Sequence, residues 1–69
     1  MKKLFYPTRE RVILNTKSGR AFRGVLWAYH RRFAILKAAE LLNPGGQLVP
    51  VDGEVIVPKE EIEFIQVLP

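Results

Sequence analysis

His30-Arg31-Arg32 is the densest group of side chains in this sequence able to act on a ligand. Adjacent guanidinium and imidazole groups bind phosphate oxygens through charge and N–H donation, with no need to read a base. The same triplet also fits a solvated loop. Trp27, three residues earlier, suits either packing or a ligand-facing ring, and its indole N–H needs a partner wherever it is buried. No catalytic constellation accompanies them, and the chain is read as a non-enzyme. There is one His and no Cys, so neither a His-cluster nor a thiolate metal site can be assembled, and no cofactor is implied. Ser18 has no base beside it in sequence, and Asp52 stands in a turn signal. Glu60, Glu61 and Glu63 read as a solvated acidic face rather than a paired-carboxylate site. Gly19 and Gly24 have the spacing of the outer glycines of a phosphate loop, but Val25 stands where that loop needs Lys, so backbone bending explains them better.

Charge is divided along the chain. Residues 1–37 hold all but one of the 11 Lys and Arg, and residues 38–69 hold all but one of the 7 acids. The net charge is +4. A protomer with a basic and an acidic face can dock on a polyanion or on a second copy of itself. With 69 residues the chain makes one domain. A core of that size is marginal, and without disulfides or a metal the usual remaining support is oligomerisation. No apolar run approaches the length of a membrane span, and Pro7, Arg9, Glu10 and Arg11 interrupt the one that resembles the start of a signal peptide. The expectation is a cytoplasmic protein with no membrane partner.

Residues 1–9 read as a basic arm or short helix, and residues 10–69 as the folded domain. Residues 11–15 are a β-branched run, closed by a turn at Thr16-Lys17-Ser18-Gly19. In 20–29 one face carries Phe22, Gly24, Leu26 and Ala28, and the other Arg23, Val25, Trp27 and Tyr29, at the strand period. Gly24 inside it marks a bend or a close backbone approach. Residues 33–42 tolerate helix or strand. Asn43-Pro44-Gly45-Gly46 is a loop, and residues 48–51 are extended, held to an edge or bulge by Pro50. After Asp52-Gly53, residues 55–57 read as a buried strand, and 62–68 as the last strand. The sum is an all-β chain: a small barrel of strongly bent antiparallel strands with short turns.

This pattern resembles the Sm and Sm-like (LSm) family. Val12, Leu14, Gly19, Phe22, Gly24, Leu26, Tyr29, Phe33, Ile35 and Ala38 fall at the apolar and glycine positions of its first motif. Val55-Ile56-Val57 with Ile62 and Ile65 matches its short final motif. The resemblance implies an Sm-like, SH3-like barrel of five bent strands after a short N-terminal segment. It also implies a homo-hexameric or homo-heptameric ring in which the fourth strand of one copy pairs with the fifth of the next. The interface would then use Val55, Ile56 and Val57 on one side, and Ile62, Phe64, Ile65 and Val67 on the other. The family's uridine-reading Asp and Asn fall on His30 and Ala34, and its Arg-Gly pair on Pro58 and Lys59. Ala34 and Pro58 offer no side-chain donor, so the expectation shifts from base reading to phosphate binding by His30, Arg31, Arg32 and Lys59 at a pore rim, with Tyr29 or Trp27 adding stacking.

The leading expectation is a non-catalytic ring that binds RNA or another polyanion. The alternative is an assembly or adaptor protein using its barrel for protein contacts alone. The small barrel and its Asp52-Gly53-Glu54-Val55-Ile56-Val57-Pro58 ending also resemble products of tailed-phage genomes, which would place it in a virion.

Overall fold

The computed structural model describes residues 8–69. Most of the expected N-terminal arm or helix, residues 1–7, therefore lies outside the described residues. Six strands form one antiparallel sheet: β1 (Glu10–Thr16), β2 (Ala21–Tyr29), β3 (Phe33–Leu42), β4 (Leu48–Pro50), β5 (Val55–Pro58) and β6 (Ile62–Val67). A 3₁₀ turn, Lys59–Glu61, joins the last two. The strand order is β4-β3-β2-β1-β6, and β5 also pairs with β3. β4 and β5 take opposite ends of the same β3 edge, Leu48–Pro50 against Glu40–Leu42 and Val55–Pro58 against Phe33–Leu36. They act as one strand interrupted by the turn at Asp52-Gly53. Pro50 sits where an edge strand accommodates it, since β4 pairs with β3 alone.

The helix that residues 33–42 would tolerate does not form. β3 has strands bonded along both edges, and pairing of that extent outweighs a weak local preference. Ala34 and Leu36 point to the core with Val12, Leu14, Leu26, Ala39 and Val57. Phe22, Tyr29, Val55, Ile62 and Ile65 pack around them. Leu14, Leu26 and Leu36 are completely buried, each worth roughly 1.5–3 kcal/mol against exposure. The strand at 55–57 is only partly the buried one expected. Val57 lies in the core, whereas Ile56, on the opposite face of the strand, is 56% exposed.

Two bulges bend the β2–β3 ladder. Arg23 faces Glu40 and Val25 faces Lys37, so Gly24 lies opposite both Ala38 and Ala39. A Cβ on Gly24 would come within 3.0 Å of the Lys37 carbonyl oxygen and 3.1 Å of the Ala39 Cα, which explains the glycine as a close backbone approach. Ala38 takes the strain as the extra residue, in the left-handed region at φ 50°. Further along, Leu26 faces Leu36 and Ala28 faces Ile35, which leaves Trp27 as an extra residue on β2. The second bulge restores the register that the first displaced. It also reverses the parity of the strand end, so Tyr29, opposite Ala34, packs on the core instead of sharing a face with Val25.

At the β1–β2 turn the buried Thr16 hydroxyl accepts the Arg20 N–H at 3.0 Å and lies 2.9 Å from the Ser18 hydroxyl. Gly19 completes the turn at φ 92°.

Candidate functional site

The loop between β2 and β3 is closed by the His30 N–H donating to the Phe33 carbonyl at 2.8 Å, which leaves Arg31 and Arg32 at an exposed tip. The ladder then aligns Phe33 with Pro58, and the Lys59 N–H donates to the Arg32 carbonyl at 2.8 Å. Two segments distant in sequence are thereby fixed side by side. Between them lies an open cleft of about 460 Å³ lined by Arg31, Arg32, Phe33, Pro58, Lys59 and Glu60. A more open one shares Arg31, Arg32 and Phe33 with it and is completed by His30. Three cations against one carboxylate give the main cleft a positive balance suited to phosphate.

The expected residues divide on this geometry. Arg31, Arg32 and Lys59 line the main cleft, whereas His30 lines only the more open one with Arg31 and Arg32. Tyr29 is half-buried against the core, with the Lys59 ammonium 4.0 Å from its ring centroid, and lines neither of these two clefts. Trp27 lines neither cleft. Sequence reasoning does not single out Phe33 as a stacking residue, yet it is the aromatic side chain that lines both clefts, and it is 44% exposed. The signal is present in the chain: with Ala34 and Leu36 inward, the strand period sends Phe33 outward. Ala34 is completely buried, which removes it from any contact with a ligand.

The expected interface residues divide as well. β5 is bonded only to β3 and β6 only to β1, so each has a free edge among the described residues. Ile56, Phe64 and Val67 are exposed, whereas Val57 is core and Val55, Ile62 and Ile65 pack on it. Arg23 lies 3.5 Å from Glu40 of its own chain, on the neighbouring strand. Among the described residues no helix is long and apolar enough to cross a membrane, and no three His, Cys, Asp or Glu side chains converge as a metal site.

This architecture has a solved counterpart. The chain is similar to a heptameric archaeal Sm protein of the crystal structure bearing on the eukaryotic snRNP core, with a TM-score of 0.78, 22% sequence identity and 88% of each chain covered. The fold is therefore the Sm-like fold. No protein-family model matches the chain, and no curated protein does. The comparison gives no support to a phage origin.

Proposed function

We propose that copies of this chain close into a ring through their free β5 and β6 edges, and that the ring binds RNA or a related polyanion through its phosphates. The observation that carries this reading is the cleft at the junction of the β2–β3 loop and the 3₁₀ turn, where Arg31, Arg32 and Lys59 surround the exposed Phe33. The cations hold phosphate, and Phe33 offers a ring on which any base can stack. Of the four positions that the resemblance assigns to uridine reading, His30, Ala34, Pro58 and Lys59, Ala34 is buried and Pro58 has no side-chain donor, so binding is tolerant of sequence. The ring is supported by the free strand edges with Ile56, Phe64 and Val67 exposed along them, by the small core, and by the heptameric state of the similar archaeal protein.

Native mass spectrometry with and without a short oligo-uridine tests both halves. Six- or sevenfold multiples of the 7.9 kDa chain, with a further mass step on adding the oligonucleotide, are expected. A ring that takes up no nucleic acid at low salt would turn the reading to an assembly protein using its barrel for protein contacts. A monomer would remove the ring.

A further inference from the structure

Trp27 is displaced from the barrel by its bulge, and what surrounds it is specific. The guanidinium carbon of Arg9 lies 3.9 Å from the indole centroid and the Lys37 ammonium 4.1 Å from it. These cations come from separate places, Arg9 from the segment before β1 and Lys37 from β3. Arg9 is held there by a backbone conformation that residues with side chains rarely adopt, φ 67°, anchored by its N–H donating to the Leu26 carbonyl. The Lys37 ammonium also lies 3.5 Å from the Glu54 carboxylate. Trp27 as a whole residue is 37% exposed. In a chain short of apolar core, a bulge that turns the one tryptophan outward against two cations is a feature that core packing does not explain.

We infer that Arg9, Trp27 and Lys37 form a second binding locus for single-stranded nucleic acid, separate from the Arg31–Lys59 cleft. A base stacks on the indole and displaces one of the cations, which turns to the adjoining phosphate. The relative strengths favour the exchange. Stacking of a base on an aromatic side chain changes affinity about 5- to 150-fold, whereas an exposed cation–π contact is worth only about 2- to 5-fold, and the displaced cation gains a phosphate. An acidic peptide would engage the cations but leave the indole face unused, so the aromatic ring favours nucleic acid. Arg31 stands four positions after Trp27, at most ~14 Å of extended chain, so one short strand can reach both sites. This inference rests on the proposed nucleic-acid binding and adds a second locus to it.

The test uses the fact that Trp27 is the sole tryptophan, so emission excited at wavelengths that tyrosine does not absorb reports on this locus alone. A labelled oligo-uridine is titrated at low salt while its anisotropy and the Trp27 emission are followed together. Expected are quenching that saturates along the anisotropy curve and a 5-fold or greater loss of affinity in Trp27→Ala. Lys37→Gln should show a smaller loss, and both variants should keep the wild-type oligomer. Arg31→Ala with Arg32→Ala should weaken binding yet retain the quenching. Anisotropy that rises while emission stays constant and Trp27→Ala binds normally would overturn the second site and leave the cleft standing. Equal affinity and equal emission change with poly-glutamate would overturn it in favour of an acidic protein partner. No response in either signal would remove both sites.

Discussion

Arg31 and Arg32 meet solvent at the tip of a loop whose own hydrogen bonds do not involve their side chains, so their removal should spare the fold. Arg31→Ala with Arg32→Ala is expected to leave thermal unfolding unchanged while weakening oligo-uridine binding. For every phosphate that the double variant no longer neutralises, the slope of log affinity against log salt should fall by roughly 0.7, a quantity read from filter binding at several salt concentrations. Gly24 is the opposite case, with no role at the ligand and none to spare in packing. Gly24→Val forces a side chain against the Lys37 carbonyl and the Ala39 Cα, and should cost about 1–3 kcal/mol in urea unfolding. The Arg23–Glu40 pair lies between these extremes. Both side chains are about a third or more exposed, so a double-mutant cycle should give no more than about 1 kcal/mol.

At the scale of the strand, legibility in the sequence depends on whether one segment alone holds the information. Val12 and Leu14, both buried, are readable through the resemblance to the Sm family's first motif, whereas apolar Ile13 between them hides the alternation of β1. The glycine bend at Gly24 is readable too, since little else suits a glycine in mid-strand. The parity reversal after Leu26 is not. It exists only as a mismatch between β2 and β3, and a single strand carries no mark of which residue its partner will leave unopposed. Periodicity alone therefore assigns Trp27 and Tyr29 to one face, when they occupy different environments. The ambiguity of residues 33–42 has the same origin, since their strand state depends on β2, β4 and β5. In the site, the cations are legible by type, whereas the closeness of Lys59 to Arg32 depends on a hydrogen bond between segments far apart in sequence. The burial of each residue decides where a free edge can be tested. A charge at Ile65 would disturb the core on which that residue packs, so a loss of assembly there would be ambiguous. Ile56→Asp or Phe64→Asp changes an exposed residue beside a free edge, and should yield a folded monomer by analytical ultracentrifugation with an unaltered circular dichroism spectrum.

For the whole molecule, the two free edges are different surfaces at different ends of one sheet. Contact between them is head to tail, and such contacts either close on themselves or run on as a filament. Which occurs depends on the angle between successive copies, and that angle is set by how sharply each barrel is bent. The bulges supply much of the bend, and here the residue at the β2 bulge has a separable status. Leu26 already faces Leu36 and Ala28 already faces Ile35, so an in-frame loss of the single codon for Trp27 joins two correctly matched pairs into an unbroken ladder. Deletion, ordinarily the harshest change inside a strand, should here preserve every inward and outward assignment while flattening the sheet. The shortened chain is expected to fold, and its assemblies, sized by mass photometry, should differ in copy number from those of the parent.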